Sequence, residues 1–362
     1  EKGVKGFRFD VVNLISKPEH FENDFQGDGR RFYSDGPHIH EYLKELVRDT
    51  GIGEMMTVGE MSSTHLEDCI RYSNPQEEEL SMCFQFHHLK VDYKNGEKWS
   101  LMEPDRMELK RLFEEWQTGM QRGHGWNALF WCNHDQPRIV SRFGNEGPYW
   151  KESAKMLGSC IHLMQGTPYI YQGEELGMTN PHFREIGQYR DVESLIYYEI
   201  LLGQGKTEEE ALQILAARSR DNSRTPMQWS GEANGGFTEG TPWIEPAGNY
   251  GEINARMQAE DEDSILHFYK TLIRIRKEKA LISKGSIAFL MQDNSDVLAY
   301  SRAYRDEELI VLNNLTDREI TVSAEPAWSR YEKLLGNYEG CRLEGGSVVL
   351  RPFETIALEK RG

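Results

Sequence analysis

Three stretches of this chain each deliver one carboxylate at the end of an apolar run. They are Gly6-Phe7-Arg8-Phe9-Asp10, Met55-Met56-Thr57-Val58-Gly59-Glu60, and Trp126-Asn127-Ala128-Leu129-Phe130-Trp131-Cys132-Asn133-His134-Asp135. Their aromatic and β-branched content gives them strand character. A buried strand ends in an acid only where that end opens onto something polar. One such acid alone reads as a solvated strand end. Three in order, with Arg8 two residues before Asp10 and His134 directly before Asp135, read as a site. Paired carboxylates are what glycosidic-bond hydrolysis requires, one as nucleophile and one as the acid that protonates the leaving oxygen. Their environments must differ so that one stays ionised and the other keeps its proton. Arg8 shares a strand face with Asp10 and should hold it ionised. Glu60 has no cation beside it in sequence, which suits the proton donor.

The elements that position these groups follow a strand, loop, helix rhythm. A strand over 4–9 is followed by a long polar loop and a helix over 38–49, whose apolar positions Ile39, Tyr42, Leu43, Leu46 and Val47 make one face. The strand at 55–59 leads to a short helix that Ser62-Ser63-Thr64 can cap. A strand over 80–86, a helix over 105–120, the strand ending at Asp135, a helix over 148–164 and a strand over 168–172 complete the pattern. Repeated crossovers of this kind imply a parallel sheet with functional groups on its C-terminal rim. The fold class is therefore α/β, the C-terminal portion of a (β/α)8 TIM barrel. Five strands are visible where a closed barrel needs about eight, so the chain reads as the C-terminal part of a longer protein. Residues 178–258 break the rhythm as an excursion over the rim, and a helix over 264–279 closes the barrel portion at about 282. From 283 to 362 short segments such as Leu309-Ile310-Val311-Leu312 and Ser347-Val348-Val349-Leu350 alternate with turns, as in a small antiparallel β-sandwich.

Composition narrows the partners. The balance of 59 acidic against 42 basic residues, net −17, argues against nucleic acid, and it means that an anionic substrate needs a local basic group. No apolar run approaches the ~20 residues that span a bilayer, and no signal segment precedes the first strand, so no membrane partner and a cytoplasmic protein are expected. Five cysteines without a CxxC pair suit a reducing compartment. No metal-ligand spacing appears, and neither a metal nor a cofactor is expected. Trp126 and Trp131 read as core, Glu174-Glu175 as loop structure, and the tandem His87-His88 as structural rather than catalytic, with a substrate role for His87 left open.

These motifs resemble conserved regions of the α-amylase superfamily (glycoside hydrolase family 13), and within it the oligo-1,6-glucosidase group. The likeness rests on Gly6-Phe7-Arg8-Phe9-Asp10-Val11-Val12-Asn13, Val58-Gly59-Glu60, Asn133-His134-Asp135-Gln136-Pro137-Arg138 and Arg220-Asp221-Asn222-Ser223-Arg224-Thr225-Pro226-Met227-Gln228-Trp229. It implies retention through a covalent intermediate, with Asp10 as nucleophile and Glu60 as general acid/base. It further implies that Asp135 grips the sugar with help from Arg8 and His134, that Arg224 lines the same subsite, and that Val11 marks linkages other than α-1,4. Glu60-Met61-Ser62-Ser63-Thr64 and Phe86-His87-His88-Leu89-Lys90-Val91-Asp92-Tyr93 resemble the members that cleave a phospho-disaccharide, trehalose 6-phosphate. His87 and Lys90 would then face the phosphate, with Lys94 and Lys98 as alternatives. Two other readings stay open: a glucosidase acting on unphosphorylated sugars, and a non-catalytic relative, which usually lacks part of the acid trio.

Overall fold

The computed structural model describes residues 3–360; the outermost positions of the two expected domains, 1–2 and 361–362, lie outside the described residues. Parallel strands β1 (Gly6–Phe9), β2 (Met56–Glu60) and β3 (Met82–Phe84) pair in chain order. A parallel bridge between Cys83 and Asn127 joins β3 to β4 (Ala128–Leu129), which pairs with β5 (Thr167–Pro168). Five strands thus stand side by side in sequence order. Among the described residues β1 has no partner on its outer side.

The crossover helices form where apolar spacing required them. Ile39–Thr50 buries Ile39 and Leu43 and ends on Gly51 at φ +69°, the left-handed conformation that suits a helix C-terminus. Arg106–Arg122 is capped by the Asp105 carboxylate, which accepts from the Glu108 N–H, and buries Leu109, Leu112, Phe113 and Trp116. The cap expected from Ser62–Thr64 does not form. The helix Leu66–Ser73 starts from His65 without a side-chain cap, and the Thr64 hydroxyl lies toward Asp35 instead. β3, β4 and β5 are shorter than their apolar runs. Past Leu129, for example, the Phe130 carbonyl is bonded by the His88 ring at 2.8 Å rather than by a neighbouring strand.

After β5 the chain makes the expected excursion, with helices Val192–Gly203 and Glu208–Arg218, and returns in the helix Ile265–Glu278. That helix packs Tyr269 against Gly158 of the helix Trp150–His162, so closely that a β-carbon at Gly158 would lie 3.0 Å from the ring.

The C-terminal region contains β6 (Ser286–Leu290), β7 (Val297–Tyr304), β8 (Glu307–Asn314), β9 (Ile320–Ser323), β10 (Tyr331–Gly336), β11 (Arg342–Glu344), β12 (Ser347–Leu350) and β13 (Thr355–Lys360). A five-stranded antiparallel sheet in the order β10-β13-β8-β7-β6 faces a three-stranded one in the order β11-β12-β9. Four of these strands, β6, β10, β11 and β13, were not read from the sequence. On β7 and β8 alternate residues serve two cores. Val297, Ala299, Ile310 and Leu312 face the small sheet, while Leu298, Tyr300, Leu309 and Val311 join the barrel core. The centre of the larger sheet is therefore buried on both sides.

Arg302 of β7 is fully buried at this junction. It donates to the carbonyls of Ser286 at 3.0 Å, Leu163 at 2.7 Å and Gly285 at 2.7 Å. Replacing it as Arg302→Met keeps the aliphatic stem but removes the arginine donor from each carbonyl, at about 1–3 kcal/mol for one left unsatisfied, while Gly285 keeps a longer bond from Gln121 at 3.3 Å. Denaturant unfolding should show a loss of about 2–4 kcal/mol. A loss below about 1 kcal/mol would mean that water reaches the junction.

Candidate active site

β1 and β2 end side by side. Their register sets Arg8 against Val58 and Phe9 against Gly59, so Glu60 lies on the face that carries Arg8. Arg8 contacts both acids, with Nη1 on Asp10 Oδ1 at 2.8 Å and Nη2 ion-paired with Glu60. The expectation that Glu60 lacks a cation is thus corrected. Sequence shows neighbours along one strand, and this neighbour comes from the next. What does differ between the two acids is solvent: the Asp10 side chain is 74% exposed and that of Glu60 13%. Such an asymmetry separates a nucleophile from a proton donor.

Local backbone chemistry explains the residues beside the acids. A β-carbon at Gly59 would lie 2.5 Å from Met61 Cε and 2.6 Å from Leu80 Cδ1, so any larger residue would have to push the ends of those side chains aside. Val11, directly after Asp10, is left-handed at φ +35°, ψ +44°. That conformation is costly for a β-branched residue and turns the chain sharply out of β1.

Asp135 is reached from β4 by a turn in which its N–H donates to Asn133 Oδ1 at 2.8 Å. Arg224, on the excursion, grips this segment with two nitrogens, Nε on the His134 carbonyl at 2.8 Å and Nη2 on Asp135 at 2.6 Å, while Nη1 is held by Asp191 of the excursion at 2.7 Å. His134 Nε2 stands 3.6 Å from Asp135. Arg8, Glu60, Asn133 and His134 line one open cleft of 620 Å³, solvent space included, together with Phe84, Phe86, Phe130, Cys132, Tyr169, Ile170 and Tyr171.

His87 and Lys90 lie farther out. His87 is half-buried, stacks on Trp116 at 5.2 Å and hydrogen-bonds the Thr64 carbonyl at 2.9 Å; burial lowers its pKa from the usual histidine value. His88 is the structural member of the pair. It is buried, and burial pulls its ring down to about 4. Lys90 is exposed, although the protein packed about it and, next, the charge of Arg30 lower its ammonium. Among the described residues Lys90 makes no hydrogen bond or ion pair with the three acids. Lys98 is held by Glu193 at 2.8 Å, and Glu193 also pairs with Arg220 at 2.9 Å.

Sequence reading missed the aromatic walls and the excursion's charges. Phe84 and Phe86, like Tyr169 and Tyr171, are spaced by two on strand ends, a signal that could have found them. Arg220 opens the 220–229 stretch quoted above, whereas Asp191 and Glu193 carry no comparable local signal. Trp131 is core as expected, with its indole N–H on the Leu157 carbonyl at 2.7 Å. Among the described residues no group of three or more His, Cys, Asp or Glu could hold a metal ion, and no helix is long and apolar enough to cross a membrane.

Residues 1–285 match the model of the alpha amylase catalytic domain, and residues 297–357 match that of the alpha-amylase SusG C-terminal domain. The chain belongs to the α-amylase family. It is 53% identical to the trehalose-6-phosphate hydrolase of Bacillus subtilis, over 98% of this chain and 64% of that protein. It is 41% identical to the oligo-1,6-glucosidase of Bacillus cereus, over 99% of this chain and 66% of that protein. The crystal structure of Bacillus licheniformis trehalose-6-phosphate hydrolase superposes with a TM-score of 0.95 at 52% identity, covering 99% of this chain and 65% of that one. The chain therefore spans about 64–66% of the length of these relatives.

One further acid of this α-amylase-family rim is unusual. Glu174, just past β5, is buried, accepts from the Tyr269 hydroxyl at 3.0 Å, and is pushed up to about 8 by burial first and by the nearby Glu175. The folded protein thus keeps a proton on Glu174 where the unfolded chain, titrating near 4.5, has lost it. Stability from this group is full below about 4.5 and falls as pH rises toward 8, at up to about 1.4 kcal/mol per unit. Unfolding measured at pH 5, 6.5 and 8 should show wild type declining relative to Glu174→Gln, whose side chain stays neutral. Parallel profiles would mean that Glu174 ionises without cost.

Proposed function

We propose that the protein is a retaining α-glucoside hydrolase that cleaves trehalose 6-phosphate to glucose and glucose 6-phosphate. In this reading residues 1–282 are the catalytic-barrel portion, with an insertion at 178–258, and residues 283–362 are the β-sandwich domain. The observation that carries the catalytic part is Arg8 contacting both Asp10 and Glu60 where two parallel strands end beside an aromatic-walled cleft. Similarity at 51–53% identity to two trehalose-6-phosphate hydrolases supports the substrate. A sugar phosphate carries about two negative charges and does not cross membranes unaided, so we infer a cytoplasmic enzyme.

Asp10 attacks the anomeric carbon and becomes the glycosyl ester. Glu60 protonates the departing oxygen, then takes a proton from the water that hydrolyses the ester. Arg8 must yield Glu60 as the sugar enters while keeping its contact with Asp10. Asp135, fixed by Arg224, grips ring hydroxyls with His134 beside it, and Val11 borders the site of the leaving sugar. His87 and Lys90 meet the phosphate.

Glucose release from trehalose 6-phosphate, trehalose and isomaltose by the full-length protein tests this reading. Trehalose 6-phosphate should be preferred, and Asp10→Asn should lower kcat by more than about a hundredfold. Preference for isomaltose would instead support an oligo-1,6-glucosidase. Lys90→Ala should raise KM for trehalose 6-phosphate about ten- to a hundredfold, since a charge-assisted contact is worth about 1.5–3 kcal/mol. An uncharged aryl α-glucoside should hardly respond. Equal losses on both substrates would make Lys90 structural.

A further inference from the structure

The β1–β2 ladder stops at Phe9 and Gly59, one residue before either acid. Beyond it, one side chain ties together the two backbones that follow Asp10 and Glu60. Asn13 is fully buried. Its Oδ1 accepts from the Ser62 N–H at 2.9 Å, and its Nδ2 donates to the Ser62 carbonyl at 2.8 Å. The amide pairs with this residue's peptide groups as another strand would, at the point where both strands have ended.

The same Nδ2 donates to Asp35 Oδ1 at 3.1 Å. Two acceptors facing one end of the amide fix which atom is nitrogen. Asp35 is itself held by the Tyr72 hydroxyl at 2.7 Å, and its N–H donates to the Asn13 carbonyl at 2.9 Å. Asp35 is left-handed at φ +50°, as Val11 is at +35°. The loop therefore bends twice to bring this carboxylate to this amide.

We propose that Asn13 is a positioning residue for the two carboxylates, setting how far the end of β2 with Glu60 stands from the end of β1 with Asp10. This rests on the roles given above to Asp10 and Glu60. A displacement of about 1 Å at a reacting group can cost a hundredfold in rate. At this level the backbone of β2 is tied to β3 and not to β1: Glu60 pairs with Phe84, and the next residue, Met61, donates its N–H to the Phe84 carbonyl at 3.1 Å.

Asn13→Asp keeps the shape but removes both donors, setting a carboxylate against the Ser62 carbonyl and Asp35. Tyr72→Phe keeps the packing of a buried ring and removes only the hydroxyl on Asp35. Both variants of the full-length protein should be compared with wild type on trehalose 6-phosphate and on an aryl α-glucoside with a good leaving group, which needs little protonation. Glu60→Gln serves as reference. Asn13→Asp should lower kcat on the disaccharide ten- to a hundredfold, and on the aryl glucoside no more than a few-fold, with KM within about threefold. The alkaline limb of its kcat/KM profile should move. Tyr72→Phe should show the same pattern at smaller size. A purely structural role lowers both substrates equally and leaves the pH profile in place, and that result overturns the inference. If Asn13→Asp does not fold, Tyr72→Phe decides: a loss that depends on the leaving group supports the role, while an equal loss or none overturns it. If Glu60→Gln itself does not discriminate between the substrates, the acid/base assignment fails and the inference falls with it.

Discussion

The parallel register of β1 on β2 is the constraint on which the rest of the site depends. Side chains on a strand alternate between faces, so a slip of one residue would send Glu60 to the opposite side of the sheet. The observed register sets Arg8 across from Val58 and one pleat from Glu60, allowing one guanidinium to reach both acids. Gly59, lacking a β-carbon, leaves room beside that register for the side-chain ends of Leu80 and Met61. Neither acid is in the β1–β2 ladder, although Glu60 pairs with Phe84 on the β3 side, and the cross-link from Asn13 to Ser62 follows just beyond both.

The third acid is placed by a different device. Asp135 hangs from a two-residue strand, too short to aim a side chain, and the excursion supplies the aim through Arg224. The excursion is fastened in turn by Asp92, buried between Arg142 and Arg218. Burial works against the Asp92 charge, but hydrogen bonds and charge from the two arginines hold it below the usual carboxylate range. An ion triad of this kind adds little net stability, yet breaking one partner leaves a buried charge unmatched, so it selects one docking geometry. The site is thus assembled from a rigid sheet and a separately fastened cover.

The C-terminal sheet serves the barrel rather than the ligand. Its central strands β7 and β8 are apolar on both faces because they lie between two cores. Basic side chains that cap carbonyls, Arg302 and Lys110 among them, close the edges of that contact. An arginine there satisfies several orphan acceptors at once while its stem fills apolar space.

What the sequence determined by itself was local. The three acids, the strands that end in them and the crossover helices follow from residue type and period, which neighbours along the chain impose. The division into a parallel α/β part and an antiparallel part followed from the same signals. Of the four C-terminal strands that escaped, β10 and β11 have charged residues interrupting their period, Glu332 and Lys333 in one and Arg342 and Glu344 in the other, whereas β6 and β13 carry short apolar runs that could have been read. The sharing of Arg8 between Asp10 and Glu60, the grip of Arg224 on Asp135 across 89 residues, and the bond from Asn13 to Ser62 across 49 were decided only by the tertiary structure. Their physical reason is common to all three: a hydrogen bond or ion pair depends on distance in space, and a chain folded back on itself makes that distance independent of separation in sequence.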